Sequence, residues 1–243
     1  MSMTFRPSTH AERDQVVAAL QAWMATPGAD STLVALTTTL CLPALEAYVA
    51  ARQAWPEKFA EARVASAAAD AADEAFDRDL RLLSASIRDA AGRSQPRVLA
   101  DMMGGTLASE LTRLPYRKEI TKGSALVTTL KARADLGVDP ALLSGLEASV
   151  DALRLAANED ELASRASALA GATQRATAAA FDLAYGRLVR AFKAYAGESS
   201  AAAILPRFVR VEDDEDAGDV GAALTTLPLE PAPTEGSPDG APA

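Results

Sequence analysis

Between Pro56 and Gly92 the chain contains no glycine and no other proline, and alanine is its commonest residue there. A stretch like this has no means of turning, and alanine is the best helix former, so it predicts a single helix of about 35 residues. Pro56 suits the first helical position and Gly92 a C-terminal cap. Within that helix Phe76, Leu80, Leu83, Ile87 and Ala90 recur at alternating spacings of four and three, the pattern of a coiled-coil seam. Projected one step back, the seam takes in Asp73, between Ala69 and Phe76.

A second long helix carries a related pattern. The segment EAFDRDLRLLSASIRDAAG aligns with AAFDLAYGRLVRAFKAYAG further on, pairing Phe76 with Phe181, Asp77 with Asp182, Leu83 with Leu188 and Gly92 with Gly197. The equivalent seam is Phe181, Tyr185, Leu188, Phe192 and Tyr195, and the register turns Asp77 and Asp182 toward water. A weaker match pairs Leu20 with Leu130, Leu33 with Leu143 and Leu36 with Leu146. The order short, medium, long therefore occurs twice, and a duplicated three-helix unit accounts for it.

Start signals place the remaining helices. Thr9 and Glu12 form a capping box before Val16, Val17 and Leu20, giving a helix over about 10–26. Asp30 caps the next, which Pro43 kinks on its way to Trp55. After a short connector closed by Pro115, helices are expected from about Thr121 to Leu136, from Pro140 to Ala156, and from Asn158 to Gly197. The fold class is all-α: a bundle of about six helices. Residues 1–95 form the first three-helix half, 96–120 the connector and 121–211 the second half. Ile204, Leu205, Phe208 and Val211 are apolar enough to dock on the bundle, whereas residues 212–243, with nine acidic residues, five prolines and no basic residue, read as a disordered tail.

Composition limits the chemistry. One cysteine, Cys41, excludes an intrachain disulfide, and MSMTFRPSTHAERD carries neither a signal peptide nor a lipidation motif, so a cytoplasmic protein is expected. Leu33 to Ala51 is the only membrane-span candidate, but its threonines, Pro43 and Glu46 favour a buried core helix. His10 reads as a helix-start residue and Cys41 as a small core hydrophobe. No catalytic residue, metal ligand or cofactor is assigned. The acids Asp70, Asp73, Glu74, Asp77 and Asp79 form the densest cluster; Arg78 and Arg81 sit at salt-bridging spacing, which makes it a solvated face, with Asp73 the exception. Gly104-Gly105 reads as a hinge, and Lys122-Gly123-Ser124 as a helix start with free amides.

Charge is uneven. The net charge of −9 lies in the tail, while residues 81–133 hold ten basic residues against four acids. Arg93, Arg97, Arg113, Arg117, Lys118 and Lys122 are the candidate anion-binding residues of that segment. The function expected is a non-enzymatic helical scaffold or adaptor that binds a protein partner, including a second copy of itself through an unfilled seam. The alternative is a regulatory module that binds a polyanion through the basic segment and is modulated by the acidic tail.

Overall fold

A computed structural model describes residues 2–91, 101, 105, 108–133, 136 and 138–210. Among these, six helices carry the fold: α1 (His10–Met24), α2 (Ser31–Leu40), α3 (Leu42–Ala91), the single turn α4 (Ala108–Leu111), α5 (Tyr116–Ala132) and α6 (Pro140–Ile204). Two short strands, β1 (Ser2–Thr4) and β2 (Phe208–Arg210), pair antiparallel and tie the two ends of the described chain together. The sequence pattern did not signal them, because three residues are too few to show alternation. No single helix among the described residues is long and apolar enough to cross a membrane.

The first helix starts as its capping box dictates, with Thr9 accepting from the Glu12 amide and Glu12 reaching back to the Thr9 amide. Asp30 caps α2 through the amides of Thr32 and Leu33. At Cys41 the chain bends by 55° into α3. Pro43 sits in the first turn of α3, where its missing N–H has no helical partner to lose. Pro56, expected to open a helix, instead lies inside α3, which runs unbroken for 50 residues. Pro56 is exposed there, so the backbone group it leaves without a helical partner can meet water.

Similarly, the start expected at Asn158 does not exist: α6 runs from Pro140 past that point, and its backbone leaves the helical region only at Gly197 (φ 81°, ψ 166°). A capping pair ends nothing where good helix formers continue on both sides and a neighbouring helix supports them. The α5 helix begins at Tyr116 after Pro115, so Lys122-Gly123-Ser124 lies in mid-helix rather than at a start.

Helices α3 and α6 run antiparallel and share two separate cores. In core 1, Val16, Leu20, Leu33, Cys41, Leu45 and Tyr48 enclose Phe181, Tyr185, Leu188 and Phe192, with Leu205 and Phe208 closing the end. In core 2, Phe76, Leu80, Leu83 and Ile87 pack on Leu111, Leu126, Leu130, Leu146, Val150 and Leu153. Each core thus joins the opening helices of one sequence half to the long-helix seam of the other. The aligned seams hold from Phe76 to Ile87 and from Phe181 to Phe192, but Tyr195 is exposed. Between the cores lies a waist, residues 52–68 of α3 and 154–170 of α6, with no fully buried side chain.

Neither seam-flanking aspartate simply faces water. Asp182 holds a two-pronged, largely buried ion pair with Arg13 (2.8 and 2.6 Å), which pins α1 to α6. Asp77 is half-buried against α5. The heptad register located both beside the seam but gave no account of the helix packed over them.

Candidate functional site

Two features stand out from an otherwise satisfied surface. The first is on α6, where Leu155, Leu162, Leu169 and Leu183 are 62 to 69% exposed. They recur at intervals of seven, with Ala176 in the remaining place, so they form one slowly winding stripe down the helix. Glu159, Ala166, Thr173 and Ala180 fill the intervening positions of the stripe, and all but Glu159 are small or weakly polar. Glu159 also lines a shallow groove with Ala60, Val64, Ala65 and Ala68 of α3, which Glu57 and Glu61 border with negative charge. A two-helix waist has only one buried seam to offer each helix, and this second face is left without a partner.

The second feature is a knot of carboxylates at core 2. Asp73 and Asp77 stand on successive turns of α3, and Glu119 lies in the first turn of α5. One turn beyond Glu119 is Gly123, where a Cβ would come within 3.0 Å of both Phe76 and Val150. The lack of a side chain there lets α5 press against α3, and this close approach swings Glu119 onto the aspartates. One oxygen from each of the three carboxylates lies within 4.8 Å of the others. Glu119 is 1% exposed. Asp73 Oδ1, Asp77 Oδ1 and Glu119 Oε2 are buried without a hydrogen-bond partner, while Arg81 takes the other oxygen of Asp77 at 3.1 Å. Burial, then a hydrogen bond shared with the Asp73 carboxyl, then the charges of Asp73 and Asp77 push the Glu119 carboxyl up to about 8, against an opposing hydrogen bond from the Leu114 backbone. Burial and Asp73 likewise raise Asp77, with Arg81 opposing. Beside them Tyr116 donates to Asp70 at 2.5 Å, tying the start of α5 to α3.

The residues singled out from the sequence fall differently. Arg93 and Arg97 lie outside the described residues, as does Gly104. Arg113, Arg117 and Lys118 are exposed, and Lys122 is half-buried. Arg117 is engaged with Glu161 of α6 at 2.5 Å, in a groove that also holds Asp160 and Arg165. Cys41 is fully buried, and its burial pushes the thiol up to about 11. His10 stacks on Tyr48 and shares a 3.2 Å contact with its hydroxyl, and burial lowers its pKa, with Arg52 and Arg13 adding to the effect. Tyr48 also donates to Asp14 at 3.0 Å. The Leu155 stripe could have been read from the sequence by its seven-residue repeat. Glu119 could not, since nothing in the spacing links it to Asp73.

Compared with family models, curated proteins and solved structures, the chain matches none.

Proposed function

We propose that this protein is a non-enzymatic helical scaffold whose first partner is a second copy of itself, joined along the waist through the leucine stripe of α6. The observation that carries the reading is the stripe: Leu155, Leu162, Leu169 and Leu183 in one heptad position, all exposed. Scattered surface leucines are ordinary, but a periodic row flanked by alanine offers knobs and shallow holes on the same face. Such a face is self-complementary under a two-fold axis across the helix. About the Leu169 position, Leu155 meets Leu183 of the other copy and Leu162 meets Ala176.

Size supports the same reading. The stripe covers 29 residues from Leu155 to Leu183, a rise of about 42 Å along the helix. With α3 alongside, the face is about 20 Å wide, so roughly 800 Å² per copy is available, which is what a standard stable interface uses. The two sole residues of their kinds, Cys41 and His10, are both committed to core 1 and its edge, consistent with a structural rather than a chemical role.

The test is the double variant Leu162→Glu/Leu169→Glu. Both positions are exposed, so the helical fold should persist by circular dichroism. The native chain should run in light-scattering chromatography at twice its 25.3 kDa mass and the variant at that mass. Native protein that remains at the single-chain mass at hundreds of micromolar contradicts the reading.

A further inference from the structure

We propose that Asp73, Asp77 and Glu119 form a binding site for one hard divalent cation that clamps α5 onto α3. The site is separate from the leucine stripe and would stand if the self-association reading fell. A group of acids on one exposed helix is commonplace and signifies little. Here the third member comes from another helix and is 99% withdrawn from solvent, with Oε2 free of any donor and directed at the two aspartates. Three carboxylates brought this close repel one another strongly when ionised, and among the described residues neither Asp73 nor Glu119 pairs with a Lys or Arg. Arg81 lies on the outer oxygen of Asp77, which leaves Oδ1 facing inward.

The donor set selects the ligand class. All three groups are oxygen donors, with neither nitrogen nor sulfur nearby, which suits Mg²⁺, Mn²⁺ or Ca²⁺ over zinc or copper. Ligand oxygens on opposite sides of Ca²⁺ are separated by roughly 4.8 Å and those around Mg²⁺ by less, so the observed spread fits around one ion. Water would complete the coordination from the open side, where Asp73 and Asp77 are only half-buried. Tyr116 bonding to Asp70 and Arg81 bonding to Asp77 hold the ligand-bearing turns in place. A bound cation would turn this group of acids into a cross-link between helices distant in sequence.

The experiment uses the full chain, stripped with chelator and then titrated with Mn²⁺, Ca²⁺ and Mg²⁺, by calorimetry and by thermal unfolding. One ion should bind per chain, and at about a hundredfold over Kd the unfolding midpoint should rise by roughly 5–10 °C. Glu119→Gln removes a charge and keeps the shape. It should fold at least as stably as the stripped native protein, yet lose tenfold or more in cation affinity and nearly all of the midpoint shift. Asp73→Asn, on the other helix, should show the same loss. Equal binding by native and Glu119→Gln chains would place the cation on the exposed acids or the tail and overturn the proposal. So would stability that responds to pH but to no cation, which would mean the three groups merely share a proton.

Discussion

Replacing Phe181 by alanine probes the two-core architecture most sharply. Phe181 is fully buried in core 1, stacked between Tyr48 (5.4 Å between ring centres) and Tyr185 (6.0 Å). Deleting a ring in such a place costs about 3–5 kcal/mol from transfer and cavity terms, and loss of stacking adds about 0.5–1.5 kcal/mol. For a chain of this size the sum corresponds to roughly 7–26 °C in the unfolding midpoint. Because the waist contains no fully buried side chain, the loss should fall on core 1 and leave core 2 largely intact. Trp23 reports on core 1 through its edge-on contact with Phe192 at 5.5 Å, and Trp55→Phe makes it the sole tryptophan. In that background, Phe181→Ala should shift the Trp23 fluorescence transition to markedly lower urea, while Phe76→Ala, which empties core 2, should shift the helical signal at 222 nm more than the Trp23 signal. An unchanged midpoint for Phe181→Ala, or identical losses from both probes in both variants, would refute the separation into two cores joined by a thin waist.

Three other outcomes follow from particular contacts. Gly123→Ala should destabilise by about 1–3 kcal/mol, measured by urea unfolding, because its Cβ would sit 3.0 Å from Phe76 and Val150. The Cys41 thiol, buried and pushed up to about 11, should resist a disulfide reagent at pH 8 in the native chain, with a rate that climbs toward pH 11 and jumps on unfolding in urea. Rapid native labelling at pH 8 would contradict its burial. If the basic segment binds polyanions and residues 212–243 compete for it, a chain ended at Val211 should bind heparin more tightly than the full chain, with a gain that shrinks as salt rises; equal binding would reduce the tail to a solubilising appendage.

Much of the fold was legible because helix caps and seams are local signals. Thr9, Glu12 and Asp30 bond as their spacing requires, and Phe76 to Ile87 and Phe181 to Phe192 are buried on the faces that the heptads assigned. Breaker signals were less dependable: Pro56 and Asn158 sit at exposed positions within continuous helices, each flanked by good helix formers. Which opening helices cover which seam was not legible either, since two similar seams do not state their partners. Of the sites, Asp73 was placed correctly on the seam, but its partner Glu119 depends on the close approach at Gly123, a contact no periodicity records. The leucine stripe was present as a repeat but overlapped the stronger Phe181 pattern on the same helix.

The most direct test of the account is sedimentation equilibrium of the full chain from about 1 to several hundred micromolar. A self-associating waist predicts a reversible monomer–dimer equilibrium reaching twice 25.3 kDa, abolished by Leu162→Glu/Leu169→Glu. A single species at 25.3 kDa across the whole range would mean that the leucine stripe is not a self-association surface, and the central claim would fail.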